Sequence, residues 1–301
     1  MSINLQGRIL AVLGGDEREQ EISRAAASAG AAARAYGFPW PQGGIEGVQL
    51  CGSADEAMLD ADYVLFPIPG IATDGTLFAP DAPAPIRVDG LLLSRMRRGG
   101  AIFLGRATPE LAAAAADQVV ELVEYEDDEE LMLLRGPAIV EGVLQLAIAN
   151  TRVTIHRASV GVVGHGTIGR LLARTLVLLG AEVHVFARNR VQRADALTAG
   201  CVPHQLQDLA SAATGLAMLF STVPAPVVGA DVLAQLPPGS LVVDLAAPPG
   251  GVDLATARAL GHRAIWARGL GRRAPVTVGR SQWSGIERRI AEIEARRRDE
   301  G

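Results

Sequence analysis

Six residues near the middle of the chain, Gly164-His165-Gly166-Thr167-Ile168-Gly169, have the types and spacing of a phosphate-holding turn. They follow the apolar run "SVGVV" and open a segment of good helix formers, the context in which a GxGxxG pattern carries weight. Gly164 permits a tight turn, Gly166 lets the backbone approach a pyrophosphate, and Gly169 lets helix and strand pack closely. The free N–H groups and positive partial charge at the start of the following helix then face the phosphates. The chemistry indicated is dinucleotide binding, with Gly164, His165, Gly166, Thr167, Ile168 and Gly169 as binding residues.

A carboxylate that holds the adenosine ribose is expected about 20 residues beyond such a turn. The second strand ends instead in "VHVFARNR", which offers Arg188, Asn189 and Arg190. An acid there would repel the 2′-phosphate of NADP, whereas an arginine can pair with it through two parallel hydrogen bonds. Arg188 is then the discriminating residue, with Arg190 assisting and Asn189 bonding a ribose or phosphate oxygen. The expected cofactor is NADP, with NAD as the alternative. Further on, "STVPAP" (221–226) and "DLAAPPGG" (244–251) each follow an apolar run. Ligands in open parallel sheets sit beyond the carboxyl ends of strands, so Thr222, Val223 and Pro224 should border the cofactor. Asp244 is either a catalytic acid or a turn-capping residue.

Elements able to position these residues recur along the chain. "RILAVLG" (8–14) reads as a buried strand followed by a helix over 17–30, with further strands at 62–68, 100–106 and 118–125. Strands alternating with helices imply a parallel sheet covered on both faces. A mostly helical segment follows over 128–151, with Pro137 expected to break or start it. A second alternating series has strands at 159–163, 182–187, 216–222, 240–246 and 262–268, which is a Rossmann pattern. Within 281–298, Trp283, Ile286, Ile290 and Ile293 fall at helical spacing, and this stripe is expected to pack back on the first domain. The fold class is therefore α/β in two domains. An amino-terminal parallel α/β domain spans 1–127, a connecting helical segment 128–151, a Rossmann domain 152–280 and a carboxy-terminal helix 281–301.

Composition narrows the function classes. The 301 residues suffice for two cores, and a net charge of −5 gives no general attraction for nucleic acid. Cys51 and Cys201 lack metal-ligand spacing and read as free thiols of a reducing cytosol, so no metal site is expected. The amino terminus has no signal-peptide pattern, and no apolar run is read as reaching the roughly 20 residues that span a bilayer. A cytoplasmic protein with no membrane partner is expected. "VLGGDERE" (12–19) lacks a third glycine and places acids after the turn, so Asp16 reads as a helix cap rather than part of a second phosphate cradle.

Taken together, "VLGGDERE", "VEGVLQLAIANTRVTIHRASVGVVGHGTIGR" (140–170), "STVP", "DLAAPPGG" and "GLGRRAPVTVG" (269–279) resemble the A subunits of dipicolinate synthase from spore-forming bacteria. The resemblance runs through nearly the whole chain. It implies an NADP-dependent oxidation of dihydrodipicolinate to dipicolinate in a cleft between the domains. It also implies partnership with a flavoprotein-like B subunit, in the mother cell during sporulation; self-association is left open. Glu141 and His156 are the matching polar residues near the domain junction. Glu141 is read as orienting substrate or closing a hydrogen bond between domains, and His156 as a base or a surface residue. For a small dicarboxylate substrate the candidates are Thr73, Thr76, Arg106 and Arg272. The alternative readings are other dehydrogenases of cyclic carboxylic acids and a non-catalytic, cofactor-binding subunit. The chain contains 28 arginines and no lysine, which disfavours dehydrogenases that depend on a lysine.

Overall fold

The computed structural model describes residues 3–68, 70–72 and 74–299. The chain divides into two compact units, one formed by residues up to Leu131 together with those from Ala274 onward, the other by Met132–Arg273. Unit 1 runs β1 (Ile9–Leu13), α1 (Arg18–Ser28), β2 (Ala32–Tyr36), β3 (Val48–Leu50), α2 (Ala54–Met58), β4 (Tyr63–Leu65), α3 (Gly90–Leu93), β5 (Ala101–Leu104), α4 (Pro109–Gln118) and β6 (Glu121–Glu124). Helix α5 (Glu129–Asn150) leads into unit 2. There follow β7 (Ser159–Val163), α6 (Thr167–Leu178), β8 (Glu182–Phe186), α7 (Arg190–Thr198), β9 (Val202–His204), α8 (Leu209–Ala212) and β10 (Met218–Ser221). The unit closes with α9 (Ala230–Leu233), β11 (Leu241–Asp244), α10 (Leu254–Ala259) and β12 (Arg263–Trp266), and α11 (Pro275–Asp299) returns to unit 1.

Each unit holds one six-stranded sheet, in the orders β3-β2-β1-β4-β5-β6 and β12-β11-β10-β7-β8-β9, and every pairing is parallel. Both are the doubly wound order, so unit 1 shares the topology expected only of unit 2. The strand sequences account for their places. β1 (ILAVL) and β4 (YVL) are apolar throughout and lie at the centre, covered by helices on both faces. β6 (ELVE) and β12 (RAIW) carry charged residues that stay exposed at the sheet edges. The short β2, β3 and β9 mix alanine, arginine, glutamine and proline with few large apolar residues, and for that reason give no strand pattern in the sequence.

Three expectations are corrected. Pro137 lies inside α5 without ending it. The carbonyl it deprives of an N–H partner belongs to Leu133, which is 39% exposed and open to water. The same helix is also long and apolar enough to span a bilayer by length and composition, contrary to the sequence reading, although Val140, Val143 and Ala147 enter the core of unit 2. The terminal helix begins at Pro275, ahead of the expected 281. Its Trp283, Ile286, Ile290 and Ile293 are buried with Leu10, Val12, Ile22 and Tyr63 of unit 1. Each such side chain stabilises the unit by about 1.5–3 kcal/mol.

The β1–α1 turn of unit 1 is filled by its own acids. Asp16 Oδ1 and Oδ2 accept Arg18 Nε and Nη2 at 2.7 and 2.9 Å, and Arg18 Nη2 also reaches the Ile68 carbonyl at 2.9 Å. Glu19 Oε2 accepts the Asp16 N–H at 2.7 Å. Gly15 (φ 103°) has no room for a side chain, since a Cβ would fall 2.3 Å from the Glu19 carboxyl. With carboxylates on these donors, a second phosphate cradle is excluded.

Glu19 is 2% exposed, and burial pushes its carboxyl up to about 7, against the pull of Arg18. Between its ordinary value of 4.5 and about 7, the unfolded chain ionises Glu19 while the folded chain keeps it protonated. Folding stability must therefore fall as pH rises through this window, by roughly 3 kcal/mol for this group. Glu19→Gln is expected to remove that loss, so the variant matches the wild type near pH 4.5 and exceeds it near pH 8. Urea unfolding across that range measures the difference, and parallel curves for the two proteins would refute it.

Candidate functional site

In unit 2 the strand order reverses between β7 and β10, which opens a crevice at their carboxyl ends. The glycine turn leaves β7 on one side and Thr222-Val223-Pro224 leave β10 on the other. Between them lies a cavity of ≈ 550 Å³. Its lining includes all six residues of the turn, Arg188, Asn189, Thr222, Val223 and Pro224, and also Met132, Phe186, Gln192, Leu206 and Val227. Apart from Phe186, which lies in the strand leading to Arg188, the second group has no motif and is not legible in the sequence.

The three glycines differ in what requires them. A Cβ on Gly164 (φ 92°) would stand 2.5 Å from Thr222 Oγ1, and one on Gly169 would stand 2.3 Å from the Gly164 carbonyl oxygen. A Cβ on Gly166 would meet nothing within 4 Å. The protein's own packing therefore demands the outer two, while the middle one leaves open a space that a side chain would fill. Gly166 is also the N-cap of α6 and offers no capping side chain, so the first-turn N–H groups remain free for an anion. Thr222 Oγ1 donates to the Val163 carbonyl at 3.1 Å and fixes the opposite wall. These residues fit a dinucleotide.

His165 is buried beneath the turn, with Nε2 2.9 Å from Asp195 Oδ2 and Nδ1 without a partner among the described residues. The bond from His165 is the main reason the Asp195 carboxyl lies below the usual carboxylate range, and Arg174 at 3.2 Å adds to it. Helices α6 and α7 are thus tied to the glycine turn through a residue thirty positions away from it.

At the end of β8, Arg188 is exposed and lines the cavity, with no side-chain hydrogen bond or ion pair among the described residues. Asn189 caps α7, its Oδ1 accepting the Val191 N–H at 2.8 Å, and also lines the cavity. Arg190 does not join them: it occupies the first position of α7, exposed and outside the cavity. Helical side chains lean toward the helix start, so the residue one turn further on, Arg193, folds back over the strand end instead. Its Nη1 donates to the carbonyls of Ala187 and Arg188 at 2.8 and 2.7 Å.

The proposed catalytic groups are not brought together. Asp244 is 1% exposed and accepts the N–H groups of Ala246 (3.0 Å), Gly251 (2.7 Å) and Val252 (3.1 Å). It organises the turn after β11 and does not line the cavity, which corrects its reading as a catalytic acid. His156 lies at the opposite, amino-terminal end of the strands. A Cβ on Gly180 would fall 2.3 Å from its Nδ1, so the ring rests against the turn after α6, at the amino-terminal end of β7. It is not a base for this cavity. Glu141, on α5, is ion-paired with Arg273 and half exposed. Arg272 stands exposed in the short 3-10 turn Leu270–Arg273.

Thr73 lies outside the described residues. Thr76 Oγ1 donates to Asp74 Oδ1 at 2.6 Å, which with the Thr76 N–H bond holds that carboxyl below its ordinary value. Arg106 follows β5 and pairs with Asp127 at 2.7 Å and with Glu126 at 3.8 Å. Cys51 and Cys201 are free, buried and raised above the usual thiol range by burial, and no metal-holding group occurs among the described residues.

Comparison with known proteins accords with this arrangement. Residues 9–126 match the N-terminal domain of the dipicolinate synthase A subunit, and residues 141–264 match the NAD-binding domain of D-isomer specific 2-hydroxyacid dehydrogenases. Unit 2 is accordingly a nicotinamide-dinucleotide domain of dehydrogenase type. The dipicolinate synthase A subunit of Bacillus subtilis strain 168 is 30% identical over 292 residues, covering 97% of this chain and 98% of the relative. The crystal structure of the Bacillus subtilis protein superposes with a TM-score of 0.86 at 30% identity, covering 97% of this chain and 99% of the other. The corresponding crystal structure from Bacillus halodurans gives 0.87 at 28% identity, with 96% and 99% covered. Over its whole length, then, this chain belongs to the family of dipicolinate synthase A subunits.

Proposed function

We propose that the protein is the A subunit of a cytoplasmic dipicolinate synthase that oxidises dihydrodipicolinate with NADP, together with a B subunit, in the mother cell during sporulation. The observation that carries this reading is the unit 2 cavity, where the open space over Gly166, the uncapped start of α6 and the unpaired Arg188 converge. The α6 N–H groups hold a pyrophosphate, Arg188 meets the substituted ribose, and Val223 and Pro224 form an apolar wall toward the nicotinamide. A bound nicotinamide cofactor supplies the hydride acceptor.

Converting a dihydropyridine to a pyridine removes one hydride and one ring proton, and aromatisation provides driving force, so positioning is the main requirement. For substrate carboxylates we propose Arg106 and Thr76 of unit 1. Arg106 and Thr76 follow the carboxyl ends of β5 and β4, the ligand side of a doubly wound sheet. The acids now on Arg106 are exposed, and such surface pairs contribute only about 0–1 kcal/mol, so a substrate carboxylate can displace them.

The test is to mix the purified protein with dihydrodipicolinate and NADP, with and without the B subunit, and follow the ultraviolet absorbance of dipicolinate. Product in at least one mixture is expected, with omission of NADP abolishing it. Absence of product in both overturns the reading.

A further inference from the structure

Beside the glycine-turn cavity, unit 2 has a second cavity of ≈ 450 Å³ lined by Arg188, Arg193, Gln205, Leu206, Gln207 and Val227. Arg188, Leu206 and Val227 line both, so the two adjoin at the end of β8. We infer that this second cavity seats the 2′-phosphate of the adenosine ribose, with Arg193 as the specificity-determining residue alongside Arg188. The inference rests on the reading of unit 2 as an NADP site and identifies where its discrimination arises.

Charge is the first support. Among the described residues, no acid lines either cavity. Arg188 has no acid partner there, and Arg193 uses only Nη1, on the carbonyls of Ala187 and Arg188. Its Nε and Nη2 have no hydrogen bond among the described residues. Elsewhere in the unit, Arg174 is paired with Asp195 and Arg273 with Glu141. Two uncompensated guanidinium groups in one concavity favour a multiply charged anion over a neutral ribose hydroxyl.

Geometry is the second support. By clamping the carbonyls of 187 and 188, Arg193 fixes the backbone from which Arg188 extends, so the two cations are held as a pair. Gln205 and Gln207 add amide donors from the segment between β9 and α8 without adding negative charge. A phosphate monoester can use every one of these groups; the 2′-hydroxyl of NAD can use few of them. Arg190, nearer in sequence to the strand end, lines neither cavity.

The test measures dissociation constants for NADPH, NADH, 2′,5′-ADP, 5′-AMP and inorganic phosphate on the full chain. It compares wild type with Arg193→Met, Arg193→Lys and Gln205→Ala, after thermal melts have verified folding. The wild type is expected to bind NADPH and 2′,5′-ADP about 10–100-fold more tightly than NADH and 5′-AMP, as a charge-assisted phosphate contact requires. Arg193→Met should lose most of that ratio, its affinity for NADPH falling far more than its affinity for NADH, and Arg193→Lys should restore part of it. Equal losses for NADPH and NADH in Arg193→Met would show that the residue only holds the loop and overturn the inference. Wild-type affinity for 2′,5′-ADP no better than for 5′-AMP, or matched by inorganic phosphate, would overturn it as well. In those cases NADH binding leaves the dinucleotide reading standing, whereas failure of every nucleotide to bind removes both.

Discussion

Gly166→Ala should fold as stably as the wild type and lose most of its affinity for dinucleotides, whereas Gly169→Ala should lose both stability and affinity. The difference lies in what each Cβ would meet. On Gly166 it would enter open space, so the protein alone does not register it; a pyrophosphate lying on the turn would. On Gly169 it would press to 2.3 Å of the Gly164 carbonyl oxygen and 3.2 Å of Thr222 Oγ1, so α6 must shift away from β7. Such overpacking costs about 1–3 kcal/mol, and the displaced α6 amides weaken binding as well. For Gly166→Ala a loss of about 100-fold in Kd is expected, equivalent to about 2.8 kcal/mol. Calorimetric melts and NADPH titrations on both variants measure this contrast. A Gly166→Ala protein that binds like the wild type would mean that no ligand backbone lies against the turn.

Asp244→Ala is expected to destabilise unit 2 by about 3–5 kcal/mol, because it leaves the buried N–H groups of Ala246, Gly251 and Val252 without their acceptor. Ligand affinity should fall with it, although Asp244 lines no cavity. Gly251 sits where a Cβ would be 2.4 Å from the Val223 carbonyl, and its own carbonyl accepts the N–H groups of Val227 and Val228. Val223 and Val227 are walls of the nucleotide cavity, so the carboxylate holds them at second hand. Asp244→Asn retains one acceptor oxygen and should lose about half as much. Denaturant unfolding of both variants provides the measurement. An Asp244→Ala protein of wild-type stability whose only defect is turnover would restore a catalytic role.

Local pattern carried much of this structure into the sequence. The GxGxxG turn, the uninterrupted apolar strands at the sheet centres and the Trp283–Ile293 stripe are all short-range signals, and the structure places each as its chemistry requires. Signals spread over distance did not survive in the sequence. His165 and Asp195 meet across two helices, and Met132, Gln192 and Leu206 reach the cavity from segments without a motif. Arg190 and Arg193 illustrate a subtler failure. The first is nearer the strand end in sequence, but the backward lean of helical side chains lays the second on the strand-end carbonyls. Asp244 and His156 looked reactive because acids and imidazoles near strand ends often are. One is consumed by backbone amides and the other stands at the opposite, amino-terminal end of the strands, facts of tertiary geometry that residue type does not encode.

The path of α11 bears on how the protein is made. Unit 2 is one uninterrupted stretch, Met132–Arg273, whereas unit 1 is assembled from both ends of the sequence. As the chain leaves the ribosome, the first 131 residues emerge without the helix that supplies Trp283, Ile286, Ile290 and Ile293 to their core. Domains ordinarily mature in the order of their synthesis. Here the later unit can mature first, while the earlier one lacks part of its core until the segment beyond Ala274 has been made.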